Sequence, residues 1–371
     1  KAMLVLTQFK KTPLLFKNPL SLITTYDSSG LAGCFAQMEE ALSNNYYLAG
    51  FLSYEAGYAA EKCFAPKKYD FPLCYMGVYK DCSNVLPWPK TDSSDSCLKN
   101  FHLNVTQEKY FSDIDLIRRH IACGNVYQIT YCIKLLFDLC GCPWQIYNRL
   151  LQVQPVPYPA YIQTSDFSIL SLSPEKFLKK NSRHIIAKPM KGTWQRGNTF
   201  SDDLIQRFKF SRDKKNQAEN VMIADLLRND LGRVGDNVRA PRLFEIAGYK
   251  TLFQMTSTVT ASLEKKIPLE KLFGAIFPSG SVTGAPKIRA MEIIRQLETE
   301  ERRIYTGAIG YITPKRDMFF NVPIRTLLIR NGHGEMGIGG GIVWDSTAQG
   351  EWDEGLLKAR FVTSGAVLNF I

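Results

Sequence analysis

The sequence predicts an α+β fold. Three observations carry that reading: helical and strand-like segments are mixed without a repeating strand–helix–strand beat, no internal repeat is visible, and strand-like runs dominate from Tyr305 to Val343. A doubly wound parallel sheet would instead interleave strands and helices at regular intervals. The 371 residues suffice for one large domain or two ordinary ones. With 45% hydrophobic and 22% charged residues, the chain can bury a sizeable core, and wholesale disorder is excluded.

The elements follow in order. Residues 1–80 alternate strand-like runs with turn signals, and Leu48–Tyr58 reads as a strand running into a glycine turn. Residues 81–100 are rich in Ser, Asp and Pro, the composition of an exposed linker, which places a boundary between parts 1–105 and 106–371. Ile114, Leu116, Ile117 and Ile121 recur at helical spacing within Thr106–Cys123, and Gly124-Asn125 ends that helix. Strands are expected at Val126–Phe137 and Ser165–Ser171. Residues 213–231 form a second helix with Val221, Met222, Leu226 and Leu227 as its apolar side, and a third starts at Pro286, where a missing N–H costs nothing. A last helix begins near Trp352.

Composition narrows the function. Apolar stretches such as Tyr46–Leu52 and Leu272–Pro278 fall short of the roughly 20 residues that cross a bilayer. No basic-then-apolar leader opens the sequence. The nine cysteines are odd in number and none follows Cys142, so free thiols in a reducing cytoplasm are expected. Cys140-Gly-Cys142 fits no zinc spacing. Residues 1–100 hold 10 Lys+Arg against 9 Asp+Glu, whereas the other 271 hold 36 against 26. The positive field therefore lies on the later part and suits an anionic ligand. The lysines are scattered and no nucleic-acid recognition motif appears.

The four histidines (His102, His120, His184, His333) are far apart and none has a nucleophile context, so acid–base work falls to carboxylates or lysine. Gly332–Gly337 matches a dinucleotide-binding spacing, but it spans the hairpin signal Asn331-Gly332 rather than a strand-to-helix turn, and is set aside. Lys191, between Pro189 and Gly192, is a candidate nucleophile if its pKa is lowered, or else a solvated turn lysine. Glu351 and Glu354 share a helical face; with Glu219, from another helix, they would suit Mg²⁺. Their plainer reading is acids favoured at helix starts. Pro278–Lys287 is a small-residue loop feeding a helix, either an anion site or a helix start capped by Ser281 or Thr283. Three glycines at Gly339, Gly340 and Gly341 weaken a strand unless a ligand or backbone must come close.

Taken together, Ser173–Phe177, Pro189–Thr193, Ala218–Asp230, Ser281–Ala290, Tyr305–Gly310, Ile338–Val343 and Glu351–Lys358 resemble, in order, the motifs of the chorismate-utilising enzymes. The resemblance covers residues 106–371; Phe51–Gly57 resembles the more variable N-terminal part. It implies two β-sheets flanked by helices with the active site in a cleft between them. It further implies Lys191 as the nucleophile on chorismate C2 and Glu175 as the acid that protonates the departing C4 hydroxyl. Mg²⁺ would be held by Glu219, Glu354 and Glu351. Gln128, Gln254, Thr283, Gly284, Tyr305, Arg325, the backbone of Gly339 to Gly341 and Lys358 would hold the substrate.

Lys191 resembles the branch that puts nitrogen at C4, on the way to 4-aminobenzoate and folate; the anthranilate-forming branch has alanine there and is the alternative. Gln128 replaces the water-activating lysine of the isochorismate- and salicylate-forming branches. Gln254 stands where many members have histidine, and Asn216 where some have a supporting glutamate, so an altered Mg²⁺ affinity is expected. No glutaminase-like Cys context is present, so a separate glutamine amidotransferase subunit supplying ammonia is expected as partner, with neither nucleic acid nor membrane.

Overall fold

Every sheet pairing in the computed structural model, which describes residues 3–61, 63–84, 96–248 and 252–363, is antiparallel. The first sheet has nine strands. Its order is Gly284–Ala285, Gln128–Cys140, His333–Ile342, Thr326–Arg330, Ser168–Ser173, Tyr158–Gln163, Leu4–Thr7 and Leu14–Lys17, with Cys97–Leu103 also on Gln128–Cys140. The second has ten: Met190–Gln195, Leu252–Leu263, His184–Lys188, Lys176–Asn181, Met318–Asn321, Ala308–Ile312, Tyr47–Leu52, Cys74–Tyr79 and Ser21–Thr25, with Gly235–Gly248 also on Leu252–Leu263. The α+β expectation holds.

Eight α-helices are described: α1 (Leu31–Ser43), α2 (Gln107–Ala122), α3 (Pro143–Val153), α4 (Phe200–Ser211), α5 (Lys214–Gly232), α6 (Leu269–Ile276), α7 (Lys287–Leu297) and α8 (Ala348–Thr363). Val5, Ile162 and Ile169 of the first sheet pack against Phe51, Tyr75 and Ile309 of the second, so their inner faces share one core. Residues of α1, α5 and α6 cover the second sheet's other face, and α2, α3, α7 and α8 cover the first's.

Local chemistry explains the helices. Thr106 caps α2 by accepting from the Lys109 N–H at 3.3 Å, and Gly124, at φ +71°, ends it. The inward stripe of α2 is Tyr110, Asp113, Ile114 and Ile117; Leu116 lies off it at 37% exposure. Asp213 caps α5, whose buried side is Asn220, Ile223, Ala224, Leu227, Asp230 and Leu231. The expected Val221 faces outward, 42% exposed, because two polar residues are turned in. Asn220 donates to the Met255 carbonyl at 3.3 Å and Asp230 accepts from Lys287 at 2.5 Å, so both are satisfied. Asn331 and Gly332, both at positive φ, make the two-residue turn joining Arg330 to its cross-strand partner His333, as the hairpin signal implied. Most of the expected linker at 81–100 lies outside the described residues, and its end, from Cys97, is already strand. All nine cysteines are free, and no described helix is long and apolar enough to cross a membrane.

Candidate active site

Two chain crossings between the sheets position the first groups. The chain leaves Ser168–Ser173 of one sheet and enters Lys176–Asn181 of the other, and Glu175 sits at that step. It returns from Met318–Asn321 to Thr326–Arg330, and Arg325, with φ +52°, stands at that second step. The steps are pinned to each other. The Val322 N–H donates to the Glu175 carbonyl at 3.1 Å, the Leu172 N–H to the Arg325 carbonyl at 3.0 Å, and the Ser173 hydroxyl to the Val322 carbonyl.

Lys191 lies at the second sheet's end, opposite Met255, and Gln254 is buried two residues along, opposite Thr193. Gly192 has φ +82°, and a Cβ there would come within 2.5 Å of the Asn216 amide oxygen on α5. A glycine is therefore favoured both by the left-handed backbone at this irregularity in the strand pairing and by the approach of α5, which carries Glu219.

From the first sheet come the glycines of His333–Ile342. A Cβ on Gly339 would fall 2.1 Å from the Tyr131 carbonyl, so neighbouring backbones meet there. One on Gly340 would lie 2.9 Å from Glu351 Oε2, 3.6 Å from Lys358 Nζ and 3.7 Å from Glu354 Oε1. One on Gly341 would lie 2.3 Å from Gln128 Nε2 and 3.1 Å from Lys191 Nζ. The missing side chains thus open a floor on which Gln128, Lys191, Glu351, Glu354 and Lys358 converge from both sheets and α8. Lys358 donates to the Gly339 carbonyl at 2.6 Å and pairs with Glu354 at 2.8 Å, while Ser346 donates to Glu351 at 2.6 Å. Gln128 is 1% exposed, and its Oε1 has no hydrogen-bond partner among the described residues.

Gly284 is strand-paired to Ile129, where a Cβ would strike the Gln128 carbonyl at 2.2 Å. Thr283 is buried and donates to the carbonyls of Ser279 and Gly280, so it does not cap α7. That helix starts at Lys287 behind Pro286, with no side-chain cap. Tyr305 packs its ring on Gly337 close to the thiol of Cys132, whose electrostatic neighbours include Lys358.

The electrostatics are those of a crowded, dehydrated cleft. Burial pushes the Glu175 carboxyl up to about 7, although the Ser281 hydroxyl, Lys191 and the Met190 N–H pull the other way. Burial also lowers Lys191 from the ordinary lysine range, helped by Lys358 and opposed by Glu175, Glu219 and Glu354. Burial raises Glu219 and Glu351, and acidic neighbours raise them further; Glu354 is held low, chiefly by Lys358. No three acidic, His or Cys side chains among the described residues are already gathered as a metal ligand set. The carboxylates nonetheless fit a hard divalent cation, because Glu219, Glu351 and Glu354 destabilise one another's charge and Glu351 and Glu354 reach one gap over Gly340.

Three residues escaped the sequence reading as parts of this site. Ser281, read as a helix cap or part of an anion loop, donates to Glu175 Oε1 at 2.5 Å. Asn220, inside an expected apolar helix, ties α5 to the Lys191-bearing pair of strands through Met255 and Ser257. Arg302 is 3% exposed, lies over the Tyr54 ring at 4.4 Å, and donates to the carbonyls of Val282 and Thr130. It sits in a charged run, Glu298–Arg303, whose composition reads as a solvated surface.

A family model described as chorismate binding enzyme matches residues 3–364. Aminodeoxychorismate synthase component 1 of Bacillus subtilis is 37% identical over 262 residues, 70% of this chain and 56% of that protein. The protein of that name from Klebsiella aerogenes is 38% identical over 253 residues, 68% of this chain and 56% of its own length. Anthranilate synthase component 1 of Thermus thermophilus is 35% identical over 263 residues, 70% of this chain and 57% of that protein. The matched stretch thus spans little more than half the length of these relatives. Among solved structures, anthranilate synthase component I from Streptococcus pneumoniae superposes with a TM-score of 0.82 at 23% identity, covering 97% of this chain and 92% of that one. At that identity the likeness concerns the fold.

Proposed function

The chain belongs to the chorismate-binding enzymes, and from that premise we propose that it converts chorismate and ammonia to 4-amino-4-deoxychorismate. The observation that carries the reading is Lys191: a buried lysine with a lowered pKa, next to the Gly341 gap and under the charge of Glu175, Glu219 and Glu354. The neutral Lys191 amine attacks C2 of chorismate, both ring double bonds shift one place along the ring, and the C4–O bond breaks. Glu175, its acid form favoured by burial, gives its proton to the leaving hydroxyl, which departs as water. Ammonia then bonds to C4 and expels Lys191 from C2, and the surplus proton restores Glu175. The balance is chorismate plus ammonia to product plus water.

Glu219 and Glu354 would hold Mg²⁺, with Glu351 reaching it through water. When bound, Mg²⁺ supplies a positive charge that draws electron density toward the C1 carboxylate. Arg325 and Lys358 suit the substrate carboxylates, Arg325 through its planar fork. Tyr305, Thr283 and the backbone of Gly284 and Gly339 to Gly341 would line the remainder, and Gln128, whose Oε1 has no partner among the described residues, and buried Gln254 offer neutral hydrogen bonds. The ammonia source is a separate glutamine amidotransferase subunit; the words "component 1" in the relatives' names support a partner. Glutamine should replace ammonium only when that second protein is added.

The deciding experiment incubates purified protein with chorismate, Mg²⁺ and ammonium and identifies the product, for wild type and Lys191→Ala. Aminodeoxychorismate from wild type and none from the variant is the expected outcome. Anthranilate from wild type would move the chain to the alternative branch, which the Thermus relative keeps in view. A Lys191→Ala variant as fast as wild type would remove the nucleophile.

A further inference from the structure

A chain of three buried side chains ends on the proposed acid. Ser279 and Ser281 are each 3% exposed, and their hydroxyl oxygens are 2.9 Å apart. Ser281 then donates to Glu175 Oε1 at 2.5 Å. Ser281 Oγ has one proton to give, and this geometry commits it to the carboxyl. The loop cannot easily shift that hydroxyl. A Cβ on Gly280, between the two serines, would lie 2.5 Å from Leu226 of α5, so the loop is packed hard on that helix. Arg302 also holds the carbonyl of Val282, the next residue, at 2.8 Å. Among the described residues, Lys191 is the charged group that bears on Glu175; the main-chain N–H of Met190 also favours its charged form.

We infer that Ser281 is a positioning residue for the acid: by occupying Glu175 Oε1 it leaves the transferable proton on Oε2. The inference rests on the proposed role of Glu175. As the C4–O bond breaks and Glu175 releases its proton, the carboxylate that forms is met by a hydroxyl already aimed at it, so the hydrogen bond strengthens as the charge develops. Ser279 fixes the direction of Ser281 in turn.

The test measures Glu175 itself. Infrared pH-difference spectra of the chorismate-free protein show the protonated carboxyl band, assigned by its loss in Glu175→Gln. Ser281→Ala should move the Glu175 midpoint up by about one unit or more, since a hydrogen bond to the charged form is lost. Ser279→Ala should move it the same way by less, and serves as the second variant if Ser281→Ala does not fold. In turnover at fixed free ammonia, Ser281→Ala should lower kcat roughly ten-fold, with KM for chorismate little changed. The alkaline limb should shift with the infrared midpoint. An unmoved midpoint in both folded variants overturns the inference, whatever the rates. A midpoint that moves in a protein yielding no aminodeoxychorismate would leave the serine–glutamate coupling standing and defeat the proposed reaction instead.

Discussion

Lys191 and Glu175 are opposed in what burial does to them, and the pH dependence follows from the signs. Lowering the lysine favours its neutral, attacking form; raising Glu175 to about 7 favours its acid form. At constant free ammonia, turnover needs Glu175 protonated, with its carboxyl near 7, and Lys191 neutral, so kcat/KM should be bell-shaped in pH. Glu175→Gln should abolish the alkaline limb along with most of the rate, by about 100-fold or more; a full alkaline limb in that variant would assign it elsewhere. The strand glycines allow a sharper contrast. Gly341→Ala sets a methyl 2.3 Å from the Gln128 amide and 3.1 Å from the Lys191 amine, and should lower kcat/KM at saturating Mg²⁺. A loss of roughly ten- to a hundred-fold is expected from misplacement on this scale. Gly340→Ala presses instead on Glu351 at 2.9 Å, and should raise the Mg²⁺ concentration for half-maximal rate several-fold. If both variants respond identically to added Mg²⁺, the division of the glycine floor into a nucleophile side and a carboxylate side is wrong.

Among the elements, α2 was the most legible, because its signals are local: a capping threonine, a three–four apolar spacing and a glycine stop. On α5 the apolar expectation fails at Val221, since hydrophobicity cannot announce that Asn220 and Asp230 point inward with partners supplied by distant strands and α7. Ser281 and Glu175 meet across 106 residues of sequence, a distance no spacing rule spans. What made the motifs readable at all was their chemistry: glycines inside a strand, a lysine beside a glycine, acids three residues apart. Asn220→Ala removes the donor to Met255 and the acceptor of Ser257 in a buried setting. It should cost about 2–3 kcal/mol in urea unfolding, since partners are left unsatisfied. It should also lower kcat, because α5 carries Glu219 and the strand pair carries Lys191. A change below about 0.5 kcal/mol would show that α5 is held by its apolar residues alone.

For the whole molecule, a second buried acid governs stability. Glu55 accepts the Arg302 N–H at 2.6 Å, yet burial pushes its carboxyl up to about 7. A folded value above the ordinary one means the fold prefers the protonated form. The stabilisation is thus full below about 4.3, the ordinary glutamate value, and is lost as pH rises through about 7. Glu175 adds a contribution of the same sign. Urea midpoints should fall between pH 5 and pH 8, and Glu55→Gln, which keeps a carbonyl for the Arg302 N–H, should flatten that slope. An unchanged slope would place the titration in other groups.

The strand Tyr47–Leu52 lies between Cys74–Tyr79 and Ala308–Ile312, with Leu48 opposite Ile312. On a ribosome adding roughly 5–20 residues per second, its second neighbour is not made until tens of seconds after the first. Through that interval one edge of a fully apolar early strand is open to any passing chain, so yield at high expression should depend more on chaperone supply and growth temperature than on the stability of the finished protein.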